Sequence, residues 1–172
     1  MHQPSKKEAK LILTVLAGGC GFDPHQGQKL DLKHINHYIL MADIRRFAMR
    51  MKLHKVGGSP VHHCALLCKH LAVVGISSTI VKGYCVTPGE ICEHYWVRTR
   101  DEGLDLDVAF EMACLYTPDL KDINKMLLEQ IPEEMKDVEI IKAEDSARLF
   151  ELFTTDPKTF WDESPITVRS FH

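Results

Sequence analysis

The sequence predicts an α+β fold in which a central helix packs on a short antiparallel sheet. Three observations predict it. Apolar residues recur at helical spacing over two long segments, 31–52 and 60–74. After Ile76 the period changes to that of strands, over 79–86, 93–99 and 104–109. Two turn signals, Thr87-Pro88-Gly89-Glu90 and Asp101-Glu102-Gly103, separate those three stretches as a meander requires.

The elements follow in order. Residues 5–17 read as a first helix, with Ser5 as N-cap, Glu8 completing a capping box, and Gly18 and Gly19 stopping it. Cys20 to Leu30 is a loop. Asp31 caps a second helix to about Lys52, with Ile35, Tyr38, Ile39, Ala42 and Phe47 near helical spacing and Arg45, Arg46, Arg50 and Lys52 as its solvated face. Gly57-Gly58-Ser59-Pro60 then breaks the chain, and Ser59 as N-cap with Pro60 at the first helical position opens a third helix that ends at Gly75. Ala65, Leu66, Leu67, Leu71, Ala72 and Val73 make that helix apolar on most sides, which predicts the buried central helix. Beyond the meander, Pro118 to Gln130 reads as helix, 138–141 as a short strand and Asp145 to Phe153 as helix. The tail from Asp156 offers the apolar anchors Phe160, Trp161 and Phe171 but little pattern.

With 172 residues, 45% of them hydrophobic, the chain closes one sizeable core and falls short of two ordinary domains. A single domain over 1–172 is expected, with N-terminal helices in 1–56, a core motif in 57–110 and a covering segment in 111–172. The net charge is −3 and the basic residues are scattered, so no phosphate-tracking stripe exists and a nucleic-acid partner is not expected. The apolar run Leu11 to Ala17 is too short to span a membrane. Lys6, Lys7 and Lys10 before it are interrupted by Glu8 and no small-residue cleavage site follows, so an amphipathic helix is read there and no membrane partner. Of the six cysteines, Cys64 and Cys68 stand on one helix, and a chain this apolar needs no staples; reduced thiols in a cytoplasmic compartment are expected.

The motif that carries chemistry is the ordered set Cys64, His94 and Asp107 on three successive elements. A thiol is a weak nucleophile until an imidazole takes its proton, and the imidazole works best when a carboxylate fixes its tautomer. Alternation puts His94, Trp96 and Arg98 on one face of the second strand and Asp105, Asp107 and Ala109 on one face of the third. Adjacent antiparallel strands can then set an imidazole beside a carboxylate. A cysteine near the start of a helix packed on them is easier to ionise, because the helix dipole and an imidazolium both favour thiolate.

Four pieces, Gly75-Ile76, Val81-Lys82-Gly83-Tyr84, His94-Tyr95-Trp96-Val97 and Leu106-Asp107-Val108, make residues 57–110 resemble the transglutaminase-like branch of the papain-like superfamily. The resemblance implies a papain/transglutaminase-like α+β core and a Cys-His-Asp triad acting on amide or thioester carbonyls as hydrolase or acyl transferase. It also implies a protein or peptide substrate and no cofactor. Asp107 matches the family aspartate better than Asp105. The first half departs from the pattern: the family nucleophile stands about four helical turns before Gly-Ile, whereas Cys64 stands about three turns before it. One turn earlier lies Pro60, beside Ser59. Either the helix is a turn shorter and Cys64 is the nucleophile, or the nucleophile has been lost and the domain binds without chemistry.

Trp96, Asp105 and Ser59 are the further candidates for a substrate cleft. Gln26 or Gln28 could donate to an oxyanion, although backbone N–H groups at the helix start can do the same. Zinc is a different reading: Cys64 and Cys68 share a helix face, and Cys92 and His94 share a strand face. No Cys-x-x-Cys spacing supports it, and no metal is expected. Gly18-Gly19-Cys20-Gly21 follows a helix and not a strand, the wrong context for a phosphate loop.

Overall fold

A computed structural model describes residues 32–163. The expected helix 5–17, the cap at Asp31, Gln26, Gln28 and Phe171 lie outside the described residues. The described chain is mixed α+β. Helix α1 (Leu32–Leu53) and helix α2 (Pro60–Val73) precede strands β1 (Ser78–Thr87), β2 (Glu90–Thr99) and β3 (Asp105–Leu106). Helix α3 (Val108–Tyr116), strand β4 (Met126–Leu128), strand β5 (Ile140–Ile141) and helices α4 (Glu144–Thr155) and α5 (Pro157–Glu163) complete it.

The sheet is larger than the expected meander. Its order is β3-β2-β1-β4, all antiparallel, and β5 adds to β2 in parallel. The β1–β2 turn forms where Pro88-Gly89 predicts it, with Gly89 at φ 86°, a conformation open to glycine. Because β1 occupies one edge of β2 along its whole length, β3 and β5 share the other edge. There β3 pairs with Val97 and Arg98, while β5 pairs with Ile91 and Cys92. Residues 93–96 of that edge lie in the gap between them.

Several expectations are corrected. Only Asp105 and Leu106 of the third predicted strand are β, because the Asp107 side chain accepts the Phe110 N–H at 3.0 Å and starts α3 there. The stretch Pro118 to Gln130 is a short 3-10 turn, Pro118–Asp122, followed by β4; the free edge of β1 overrides helical propensity. The tail is not patternless, since Asp156 accepts the Thr159 N–H at 3.1 Å and α5 carries Phe160 into the core. On α1 Leu40, Ile44, Ala48 and Met51 join the core and Phe47 packs against it, the side chains of Ile35, Tyr38 and Ile39 lying outside the described ones, while Ala72 and Val73 at the end of α2 face solvent.

Helix α2 lies against the sheet. Val61, Cys64, Ala65, Leu67 and Leu71 join Ile80, Tyr95, Val97 and Leu106 in one apolar cluster that α1, α3 and Phe160 complete. Tyr95 and Val97 face α2, so the alternation of β2 sends His94 and Trp96 to the reverse face. Burial of apolar area against α2 anchors β2, and that anchoring fixes what its other face presents.

Candidate active site

His94 comes from the middle of β2 and Asp107 from the junction of β3 with α3. Nε2–H of His94 donates to Oδ1 of Asp107 at 2.8 Å. The same Oδ1 accepts the Phe110 N–H, and Oδ2 accepts from Lys125 Nζ. One carboxylate therefore starts a helix, orients an imidazole and neutralises a lysine. Asp107 is 5% exposed. Burial alone would push its carboxyl up, but the His94 hydrogen bond and the charges of His94 and Lys125 outweigh burial and hold it below the ordinary carboxylate value. Lys125 also lies over the Phe110 ring, 3.8 Å from its centroid.

Sequence reasoning missed Lys125. It falls within the stretch 118–130 that the sequence reads as helix, and its one signal is a lysine directly before the apolar triplet Met126-Leu127-Leu128. The pairing of β4 with β1 brings it to Asp107.

Trp96 is 1% exposed, and its ring stacks near that of His94 with centroids 6.5 Å apart and planes at 22°. Gly83 stands opposite His94 on β1. A Cβ there would lie 2.6 Å from Trp96 Cη2 and 2.3 Å from the Leu128 carbonyl oxygen, so only glycine lets the indole and β4 approach together. The Gly-Tyr of the sequence motif thus has a packing reason. Asp105 takes a different partner, accepting from Arg98 Nε at 2.7 Å and Nη2 at 3.0 Å, and Arg98 also reaches Glu129. Ser59 stands at the N-cap of α2, where its N–H donates to Nδ1 of His62 at 3.1 Å.

The structure brings His94 and Asp107 together and holds Cys64 apart. Cys64 is 0% exposed, on the second turn of α2, and its Sγ donates to the Tyr95 carbonyl oxygen at 3.5 Å. Tyr95 lies in the gap between β3 and β5, so the thiol satisfies a carbonyl that no neighbouring strand takes there. Burial, then the Asp107 charge and Cys68, push the Cys64 thiol well above its ordinary value. Among the described residues, the side chain of His94 makes one hydrogen bond, to Asp107, which leaves Nδ1 for a further partner.

Cys85 and Cys92 face each other across β1 and β2, and the five described cysteines are free. No group of three or more His, Cys, Asp or Glu side chains among the described residues converges on a point where a metal could be held. His70 instead bonds Asp43 at 2.9 Å. No helix among the described residues is long and apolar enough to cross a membrane. Compared with known proteins, the chain matches no family model, no curated sequence and no solved structure.

Proposed function

We propose that this is a transglutaminase-like domain of papain-like core that carries out thiol-dependent hydrolysis or acyl transfer on amide-type carbonyls of a protein or peptide. The observation that carries the reading is the His94–Asp107 bond of 2.8 Å, with Asp107 held at the same time by Phe110 N–H and Lys125. A buried carboxylate with three donors is costly to assemble, and such assemblies concentrate at functional sites. With Nε2–H committed to Asp107, Nδ1 is the nitrogen that takes a proton from a thiol and returns it to the leaving amine.

Cys64 is the thiol that the order of the motif assigns to the attack. Its Sγ must then exchange the Tyr95 carbonyl for Nδ1 of His94. The thiolate attacks the carbonyl carbon, the amine leaves with the proton from Nδ1, and water or a second amine resolves the acyl-enzyme.

A second reading, a non-catalytic binding domain on the same core, is favoured by one observation: Cys64 is wholly buried and its thiol is pushed up. Alkylation of the folded chain with limiting iodoacetamide separates the two. Trypsin releases residues 56–69, which hold Cys64 and Cys68, and fragment ions locate the label. Labelling of Cys64 in the folded protein at neutral pH, lost in His94→Ala at unchanged melting temperature, supports the enzyme. Labelling of Cys64 only after unfolding supports the binding domain.

A further inference from the structure

We propose that Cys85 and Cys92 form a redox-active dithiol, a site at which a hydroperoxide closes a cross-strand disulfide on the His94 face of the sheet. The two residues are direct partners in the β1–β2 register. Directly opposed residues of an antiparallel pair have Cα atoms about 4.5 to 5.5 Å apart, inside the disulfide range of about 4.4 to 6.8 Å. The Cys92 Sγ already lies 3.7 Å from the Cys85 carbonyl oxygen, over its partner's backbone. Neighbours on both sides hold the pair in place: Cys85 also pairs with Leu127 of β4, and Cys92 with Ile141 of β5.

The two thiols differ in the way an attacking and a resolving thiol must. Cys85 is 4% exposed, whereas Cys92 is half-buried and reachable. The bond from Cys85 and the nearby charge of His94 draw the Cys92 thiol below its ordinary value; the same bond, with burial, pushes Cys85 up. Cys92 and His94 share a strand face, so the imidazole stands beside the thiol that ionises. Only residues 86–91 separate the cysteines, and a bridge over so short a loop restrains the unfolded chain little; it suits reversible oxidation better than structural stapling.

The chemistry balances with the peroxide as the oxidant. The Cys92 thiolate attacks one oxygen of the O–O bond, giving sulfenic acid and releasing the other oxygen as water or alcohol after protonation. The Cys85 sulfur then attacks the Cys92 sulfur, an S–S bond forms, and the hydroxyl leaves as water with the Cys85 proton. Sulfur loses two electrons and the peroxide gains them.

Trypsin releases residues 83–98 as one peptide holding both cysteines and no other. The full chain is treated with limiting hydrogen peroxide, alkylated and digested. The expected result is loss of two hydrogens from peptide 83–98, restored by dithiothreitol and absent in Cys92→Ser. In Cys85→Ser, and in Cys85→Ala as a second variant, Cys92 should be trapped by dimedone as sulfenic acid, with urea unfolding showing that each variant is folded. Both thiols alkylating freely after peroxide overturns the proposal, as does a bridge in peptide 56–69 or between chains. The readout is mass and not turnover, so its failure leaves the reading of His94 and Asp107 untouched.

Discussion

The two faces of β2 hold thiols under opposite conditions. On the helix side Cys64 is sealed among Val61, Leu67 and Tyr95, donates to a backbone carbonyl and resists ionisation. On the reverse side Cys92 is half-buried beside His94, and its neighbours favour the thiolate. One residue type thus serves as a small apolar filler on one face and a titratable group on the other. What separates them is first burial, which penalises the Cys64 thiolate inside a continuous apolar cluster, and on the reverse face the bond from Cys85, with the charge of His94, which favours the Cys92 thiolate.

The contrast depends most on Asp107. Asp107→Ala removes the partner of His94 and Lys125 and the first hydrogen bond of α3 together, and should cost about 4 kcal/mol in urea unfolding. Asp107→Asn keeps the Phe110 bond and should cost about 3 kcal/mol, the difference being the cap. Equal losses would show that the cap contributes nothing. The sign of the pH dependence follows from the depressed carboxyl: its contribution is present above the unfolded value of about 3.9 and is lost as pH falls through the lower folded value. The aspartate-free variant should show a flatter stability curve below about pH 4.

Next is Gly83→Ala, which drives a methyl into the Leu128 carbonyl and the Trp96 ring and should cost about 3 kcal/mol. It disturbs the reverse face alone, so the environment of Cys64 should hold; a change in Cys64 alkylation would show the two faces are coupled.

His63 tests the helix side. Burial, then the charge of His62, lower its pKa to about 4, and its Nε2 is buried without a partner among the described residues. The unfolded chain protonates at its ordinary value near 6.5 while the folded chain stays neutral, so this contribution is complete above pH 6.5 and declines as pH falls towards 4. A decline on the order of 2 kcal/mol over that window, abolished in His63→Leu, is expected from thermal melts at several pH values. The smallest effect belongs to Asp105→Asn, which breaks a half-exposed pair with Arg98 and should cost below about 1 kcal/mol.

Much of this was legible in the sequence because it is local. The helix at Pro60 follows from Ser59 and proline's fixed φ, and the hairpin from Pro88-Gly89. The proximity of His94 to Asp107 follows from two strands joined by a tight turn. The Asp107 motif is readable, but its role as a helix cap is not, since Leu-Asp-Val suits a strand and it is the bond from the Phe110 N–H to Asp107 that turns the chain into α3. Lys125 was hidden because its segment has helical composition, and the free edge of β1 claims it instead.

The sequence by itself determined the α+β class, the order of the central elements and the pairing of an imidazole with a carboxylate, since each rests on period, turn chemistry and short-range register. Tertiary structure alone decided which face of β2 meets α2. It thereby decided that Cys64 satisfies a carbonyl while Cys92 shares a face with His94: a strand shows its pattern in sequence, but burial against a distant helix chooses which half of that pattern becomes the core.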